Sequence, residues 1–197
     1  MSKYSYYAFY KPFGYLSQFT DEGTKQGLKH LITDIKDDVY PVGRLDADSE
    51  GLLILSNDTR VNKQLLDSSH TRTYYAQIEG QADKKFIKFL ENSPTLNYKG
   101  KEHNCLPAKA KILEKEPTLP PRNPPIRFRK NVPTTWVALS LNEGKNRQVR
   151  KMTAAGGFPT LRLVRYAIEK ITIDNMKPGD LVEYNEHDIC RFLNLKL

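Results

Sequence analysis

Residues 43–55 read Gly43-Arg44-Leu45-Asp46-Ala47-Asp48-Ser49-Glu50-Gly51-Leu52-Leu53-Ile54-Leu55, a polar loop that runs straight into four apolar residues. Gly51 bounds the apolar run on one side and Asn57-Asp58 on the other. It is too short for a typical helix and rich in branched side chains, so it predicts a buried strand. Three carboxylates and one guanidinium therefore stand at the mouth of a rigid element. Loops seated on strands are where binding and catalytic groups concentrate. The same residues also suit an acidic surface turn in which Asp and Ser satisfy their own backbone. Asp48 and Glu50 disfavour a charge on Asp46, so keeping it ionised calls for a cation or several N–H donors. Arg147 and Arg150 are candidates.

Upstream, Tyr4 to Tyr10 is aromatic and β-prone and ends in the turn Lys11-Pro12-Phe13-Gly14, while residues 28–35 suit a short helix. Downstream, Asp58 or Thr59 can cap a helix through Leu66. Residues 72–79 read as a strand, and residues 82–91 place Ala82, Phe86, Phe89 and Leu90 on one helical face. A strand suits 106–113. Six of the twelve prolines fall between Pro117 and Pro133, which predicts a rigid irregular arm. With its basic residues this arm suits contact with RNA; it equally suits a plain inter-strand connection. Residues 134–141 read as a strand, 146–155 as a helix stopped by Gly156-Gly157, and 161–168 and 171–173 as strands, with Leu181 to Tyr184 as a last one. Many strands with few short helices and no βαβ alternation predict an α+β fold with a mixed, largely antiparallel sheet.

The chain has 197 residues, 39% hydrophobic and 27% charged, with a net charge of +8. That length suits one domain or two small lobes. The charge is concentrated. Residues 122–170 hold eleven basic side chains, Arg122, Arg127, Arg129, Lys130, Lys145, Arg147, Arg150, Lys151, Arg162, Arg165 and Lys170, against two acidic ones, Glu143 and Glu169. A basic segment in an otherwise balanced chain points to a polyanion, most often nucleic acid, or else to a solubilising face. No apolar run is long enough to span a membrane, and no secretory signal is read at the N-terminus. Cys105 and Cys190 are far apart and the four histidines are scattered, which gives neither a disulfide framework nor a metal motif. A cytoplasmic location is expected. Phosphate loops, dinucleotide fingerprints and a Gly-x-Ser-x-Gly elbow are missing from the sequence, and no cofactor is expected.

Residues 43–53 resemble the Gly-Arg-Leu-Asp-x-x-(Ser/Thr)-x-Gly-Leu-Leu signature of RNA pseudouridine synthases. Three further pieces agree in order: Tyr10-Lys11-Pro12-Phe13-Gly14, Arg72-Thr73-Tyr74, and Gly144-Lys145-Asn146-Arg147-Gln148-Val149-Arg150-Lys151-Met152 with Leu163-Val164-Arg165 behind it. Arg122-Asn123-Pro124-Pro125-Ile126-Arg127, Pro133-Thr134-Thr135-Trp136 and residues 157–163 are similar to the branch acting on bacterial ribosomal RNA. The resemblance implies one catalytic domain over 1–197, with two sub-lobes around a cleft and no N-terminal S4 RNA-binding domain.

The resemblance also implies roles. Asp46 is the catalytic carboxylate, acting at C1′ as nucleophile or at C2′ as base. Arg150 pairs with it, Tyr74 stacks on the target uracil, Leu163 walls the base pocket, and Arg44 takes the space of the flipped base. The remaining basic side chains, Arg122, Arg127, Arg129, Lys130, Lys145, Arg147, Lys151, Arg162 and Arg165, attract phosphates. Tyr75 falls on the face opposite Tyr74 and is expected in the core. Two departures stand out: Arg72 where Lys is usual, and Glu169 where Gly is usual. The expected partner is ribosomal RNA, 23S in particular, and a monomer is the default. A non-catalytic assembly factor on the same scaffold and a tRNA-directed synthase are the alternatives.

Overall fold

Six consecutive buried residues, Tyr6–Lys11, form β1. The structure, a computed structural model, describes residues 3–67, 69–126 and 132–197. After β1 come β2 (Tyr40–Val42), β3 (Glu50–Ser56), α1 (Thr59–Leu65), β4 (Arg72–Glu79) and α2 (Lys84–Glu91). Next are β5 (Thr95–Tyr98), β6 (Lys101–Asn104), β7 (Lys109–Ile112) and β8 (Thr134–Leu141). The chain continues with α3 (Gln148–Ala155), β9 (Thr160–Ile168), β10 (Ile171–Thr172), β11 (Leu181–Tyr184) and α4 (Glu186–Leu193). This is the expected α+β class. Of the strand pairings described, β3 with β9 is the parallel one.

The chain forms two units, one of Met1–His70 with Val164–Leu197 and one of Thr71–Leu163. β9 starts in the second and ends in the first. The first unit orders its strands β11-β1-β3-β9, with β2 also on β3 and β10 on β9. Register sets Tyr7 opposite Leu55 and Phe9 opposite Leu53, so these four side chains share one face with Leu28, Ile32 and Val39. Each such side chain contributes about 1.5–3 kcal/mol on burial. The expected helix over 28–35 shrinks to one 3-10 turn, Leu28–His30. Gly27 has no side chain to cap it, and burial of Leu28 and Ile32 places the segment instead.

The second unit orders its strands β9-β4-β8-β7, with α2, α3 and the β5–β6 hairpin around a core of Ile78, Phe86, Leu90, Leu139, Met152 and their neighbours. Tyr74 and Tyr75 do point to opposite faces of β4, but Tyr74 packs against this core, on the side of Ala76 and Ile78. Tyr75 stays half-buried with Thr73 and Gln77 on the other face, which corrects the expectation. From 113 to 126 the Pro-rich arm carries no helix or strand. Glu169 adopts φ +49°, so the position favouring Gly keeps its turn. Asn194 donates to its carboxylate at 2.7 Å and helps hold it there.

Asp58 closes the first unit's hairpin onto α1. Its buried carboxylate accepts from Arg60 N (3.0 Å), the Arg60 guanidinium (2.7 Å) and the buried Tyr6 hydroxyl (2.9 Å). Burial alone would raise the Asp58 carboxyl, but these donors override it and hold it below its ordinary value. Asp58→Ala should cost about 2–4 kcal/mol, from a lost N-cap and a stranded Tyr6 hydroxyl. A group held down in the folded state stabilises at pH above its unfolded value and loses that contribution as pH falls through its folded value. Urea melts at neutral and acid pH check both points: the variant should lose more stability at pH 7 than near pH 3.

Candidate active site

Asp46 sits half-buried in the loop between β2 and β3, and the loop's backbone is tied down on both sides of it. Ser17 Oγ donates to Leu45 O and accepts from Leu45 N, both at 2.9 Å. Gly14, at the end of the Lys-Pro-Phe-Gly turn, donates its N–H to Ala47 O at 2.7 Å. Ser49 N closes a turn onto Asp46 O at 3.0 Å. So two sequence pieces 30 residues apart, Lys11–Gly14 and the Asp46 loop, form one local structure. Arg44 is exposed on the same loop.

Gly51 then carries the chain into β3 at φ +107°, in parallel register with Arg165. A Cβ here would lie 2.3 Å from Arg165 O and 2.8 Å from Arg165 N. Arg165 is buried and its Nε donates to Leu52 O at 2.7 Å. Lys11 is fully buried and donates from Nζ to Pro12 O (2.9 Å) and Tyr15 O (2.7 Å). Burial pushes its pKa down to about 7, against the pull of Glu50, Asp48 and Asp46. Lys11 is therefore an amine that titrates near neutrality and interacts electrostatically with Asp46, Asp48 and Glu50; its sequence position shows only part of a turn.

In the second unit Tyr74 lies on β4, opposite Leu139 of β8. Leu163, on β9, is 6% exposed and belongs to the core cluster that Tyr74 packs against. Arg72 keeps the motif's basic position but is buried, donating to Asn142 O at 3.3 Å. α3 carries Arg150 half-buried, its Nη1 donating to Thr160 O at 3.2 Å. Val149 and Met152 on the same helix anchor it in the core.

The basic segment is less uniform than its charge suggests. Lys145 and Arg147 are exposed. Lys151 donates to Asn97 O at 3.0 Å and lies 3.7 Å above the Tyr98 ring. Arg122 curls onto its own loop, donating to Pro124 O (2.7 Å) and Pro125 O (3.1 Å). Arg162 and Arg165 correct the expectation of phosphate contacts: both are buried, and their guanidinium groups serve the carbonyls of Pro120 and Leu52. Arg127, Arg129 and Lys130 lie outside the described residues. Among the described residues one metal-ligand type cluster emerges, His103, Cys105 and Glu143, which spacing along the chain conceals. No helix among the described residues is long and apolar enough to cross a membrane.

A family model for RNA pseudouridylate synthase matches residues 5–155, a span that includes the Asp46 loop, Tyr74 and α3. The chain belongs to the RNA pseudouridylate synthase family. This synthase is 45% identical over 177 residues to ribosomal large subunit pseudouridine synthase E of Vibrio parahaemolyticus, covering 89% of this chain and 71% of that one. It is 44% identical to the protein of the same name from Xanthomonas axonopodis pv. citri, over 85% of this chain and 87% of that one. A crystal structure of a pseudouridylate synthase shares the fold at a TM-score of 0.78 and 20% identity, covering 98% of this chain and 75% of that one. The synthase is thus an RNA-modifying isomerase.

Proposed function

We propose that this synthase isomerises one uridine of ribosomal RNA, in the 23S RNA of the large subunit, with Asp46 as the reacting carboxylate. The supporting observation is the identity to two proteins named ribosomal large subunit pseudouridine synthase E, over most of their length and this chain's. The isomerisation breaks N1–C1′, rotates the uracil, forms C5–C1′ and moves one proton from C5 to N1. Atoms balance without a redox step. Asp46 serves either by adding to C1′ or by removing the C2′ proton, and either role needs it ionised.

Tyr74 offers a flat ring for the uracil and a hydroxyl for the C5 proton. Arg150, a guanidinium that stays charged at any working pH, is the cation we assign as partner to the Asp46 carboxylate. Arg44 and Leu163 complete the base site by filling the vacated stack and backing the flipped ring. Lys145 and Arg147 are the side chains best exposed for phosphates. Flipping a uridine from a folded RNA costs a few kcal/mol, which such phosphate attraction offsets.

The test is carbodiimide mapping of pseudouridines in ribosomal RNA from cells lacking the protein. One 23S position should lose its signal and regain it with the wild-type gene but not with Asp46→Asn. An unchanged 23S map, or a lost tRNA position instead, overturns the assignment.

A further inference from the structure

Glu143 has no part in the chemistry proposed above, yet it is a buried carboxylate that collects three donors from three places. Leu106 N–H reaches Oε1 at 2.7 Å, Gln148 Nε2 reaches Oε1 at 2.5 Å, and His103 Nε2 lies 2.9 Å from Oε2. Burial would raise its carboxyl, and these donors outweigh that and hold it below the ordinary range. With His103 and Cys105 nearby the cluster has metal-ligand composition. Its carboxylate oxygens are already taken up by donors, one an amide NH2, so we read it as a hydrogen-bonded clamp.

The clamp surrounds a strained turn. Arg147, the residue before α3, sits at φ +53°, ψ +32° with no side-chain cap to the helix. For a side chain with a Cβ this left-handed conformation costs roughly 1–2 kcal/mol, so something around it must impose it. Gln148 does so from both ends: its Oε1 accepts from Lys145 N at 3.0 Å while its Nε2 is fixed by Glu143. The first backbone bond of α3, Lys151 N to Arg147 O at 3.0 Å, starts from that turn. One helical position before it along the chain is Arg150. The β5–β6 hairpin braces the same point twice, through His103 on Glu143 and through Lys151 on Asn97 and Tyr98.

We propose that Glu143 is a positioning residue for uridine isomerisation: by clamping Gln148 it holds Arg147 in the left-handed turn that sets the start of α3 and so the placement of Arg150. This rests on the reading of Arg150 as part of the reacting site. Glu143→Leu keeps roughly the size but accepts from none of the three donors, whereas Gln would keep one oxygen for Leu106 and Gln148. Misplacing a reacting-site group by a fraction of an ångström should lower kcat on the order of tenfold to a hundredfold. KM should rise by less than kcat falls: Lys145 and Arg147 on the same turn face phosphates, but the larger loss is at the reaction step.

The test measures tritium released from C5 of [5-3H]uridine-labelled 23S RNA, taken from cells lacking the enzyme, for Glu143→Leu alone and combined with Arg147→Ala or Arg147→Gly. Both second changes remove the charge, but only Gly removes the cost of positive φ. The kcat penalty of Glu143→Leu should persist beside Arg147→Ala and shrink several-fold beside Arg147→Gly. Equal penalties in the two backgrounds, or a wild-type kcat in Glu143→Leu, overturn the proposal. Should Glu143→Leu fail to fold, recovery of folded, active protein with Arg147→Gly supports the clamp, and failure there too overturns it in favour of a general folding role. Arg150→Ala assayed alongside keeps the two readings separate: near-wild-type turnover in that variant removes the underlying reading, whatever the clamp ratios.

Discussion

Asp46→Asn should give a folded, RNA-binding protein that makes no pseudouridine. Four hydrogen bonds that hold its loop run through backbone groups and the Ser17 hydroxyl, and Asn preserves all of them. The amide is the same size and carries no charge to attack C1′ or accept the C2′ proton. Turnover should fall at least roughly 10³-fold, as when the reacting group of an enzyme is removed. Affinity for RNA should hold or improve, since a negative charge next to phosphates is gone. Single-turnover tritium release, a filter-binding curve and a thermal melt together decide it. Wild-type turnover by Asp46→Asn would take the carboxylate out of the reaction altogether.

Gly51→Ala should be the most damaging single methyl group in the first unit. Its Cβ would fall 2.3 Å from a backbone oxygen of Arg165, which cannot swing away as a side-chain tip can. The φ of +107° adds strain for any L residue. Together these should cost about 4 kcal/mol or more, at the far end of single-residue effects. At about 2–4 °C per kcal/mol for a chain of this size, the melting point should drop by about 10 °C or more. Activity should fall with it, because Gly51 is the second residue of β3, the strand that carries the Asp46 loop. A variant that melts with the wild type would mean that β3 and β9 do not approach as described.

The strands with strong local signals were legible from the residues alone. β3 holds the apolar run Leu52 to Leu55, and β4 and β8 pair over eight residues each in the places their β-branched and aromatic content indicated. The cap expected at Asp58 or Thr59 falls on Asp58, and the stop expected at Gly156-Gly157 falls on Gly156. Four elements went unread: β2, β5, β6 and α4. The β5–β6 hairpin turns at Lys99-Gly100, both at positive φ, a weak turn signal beside polar strands that bury little. α4 is capped by Asn185, with Asp188 N donating to its side chain, a cue lost behind the short strand before it.

The site was legible as motifs and less so as environments. Charge counting treats every Arg as surface, yet Arg162 and Arg165 spend their donors on carbonyls 42 and 113 residues away. Lys11 looked like turn punctuation, and folding buries it within reach of three carboxylates. Glu143 counts in the sequence only as one acid in a basic segment, because its donors include residues as far off as His103. Each miss is a long-range pairing that local spacing does not encode.

The division of the chain at His70 and Val164 bears on how the protein is made. Residues 71–163 are contiguous, so the whole of that unit's chain is available before residues 164–197 are made. The Asp46 loop is translated earlier yet must wait, since β3 finds its parallel neighbour only when residues 164–168 arrive. A polypeptide halted before that point would carry the helix with Arg150 but would lack the strand that sets Gly51. Interrupted translation should therefore yield fragments inert toward uridine, and the strand that carries the Asp46 loop gains its parallel neighbour only among the last acts of vectorial synthesis.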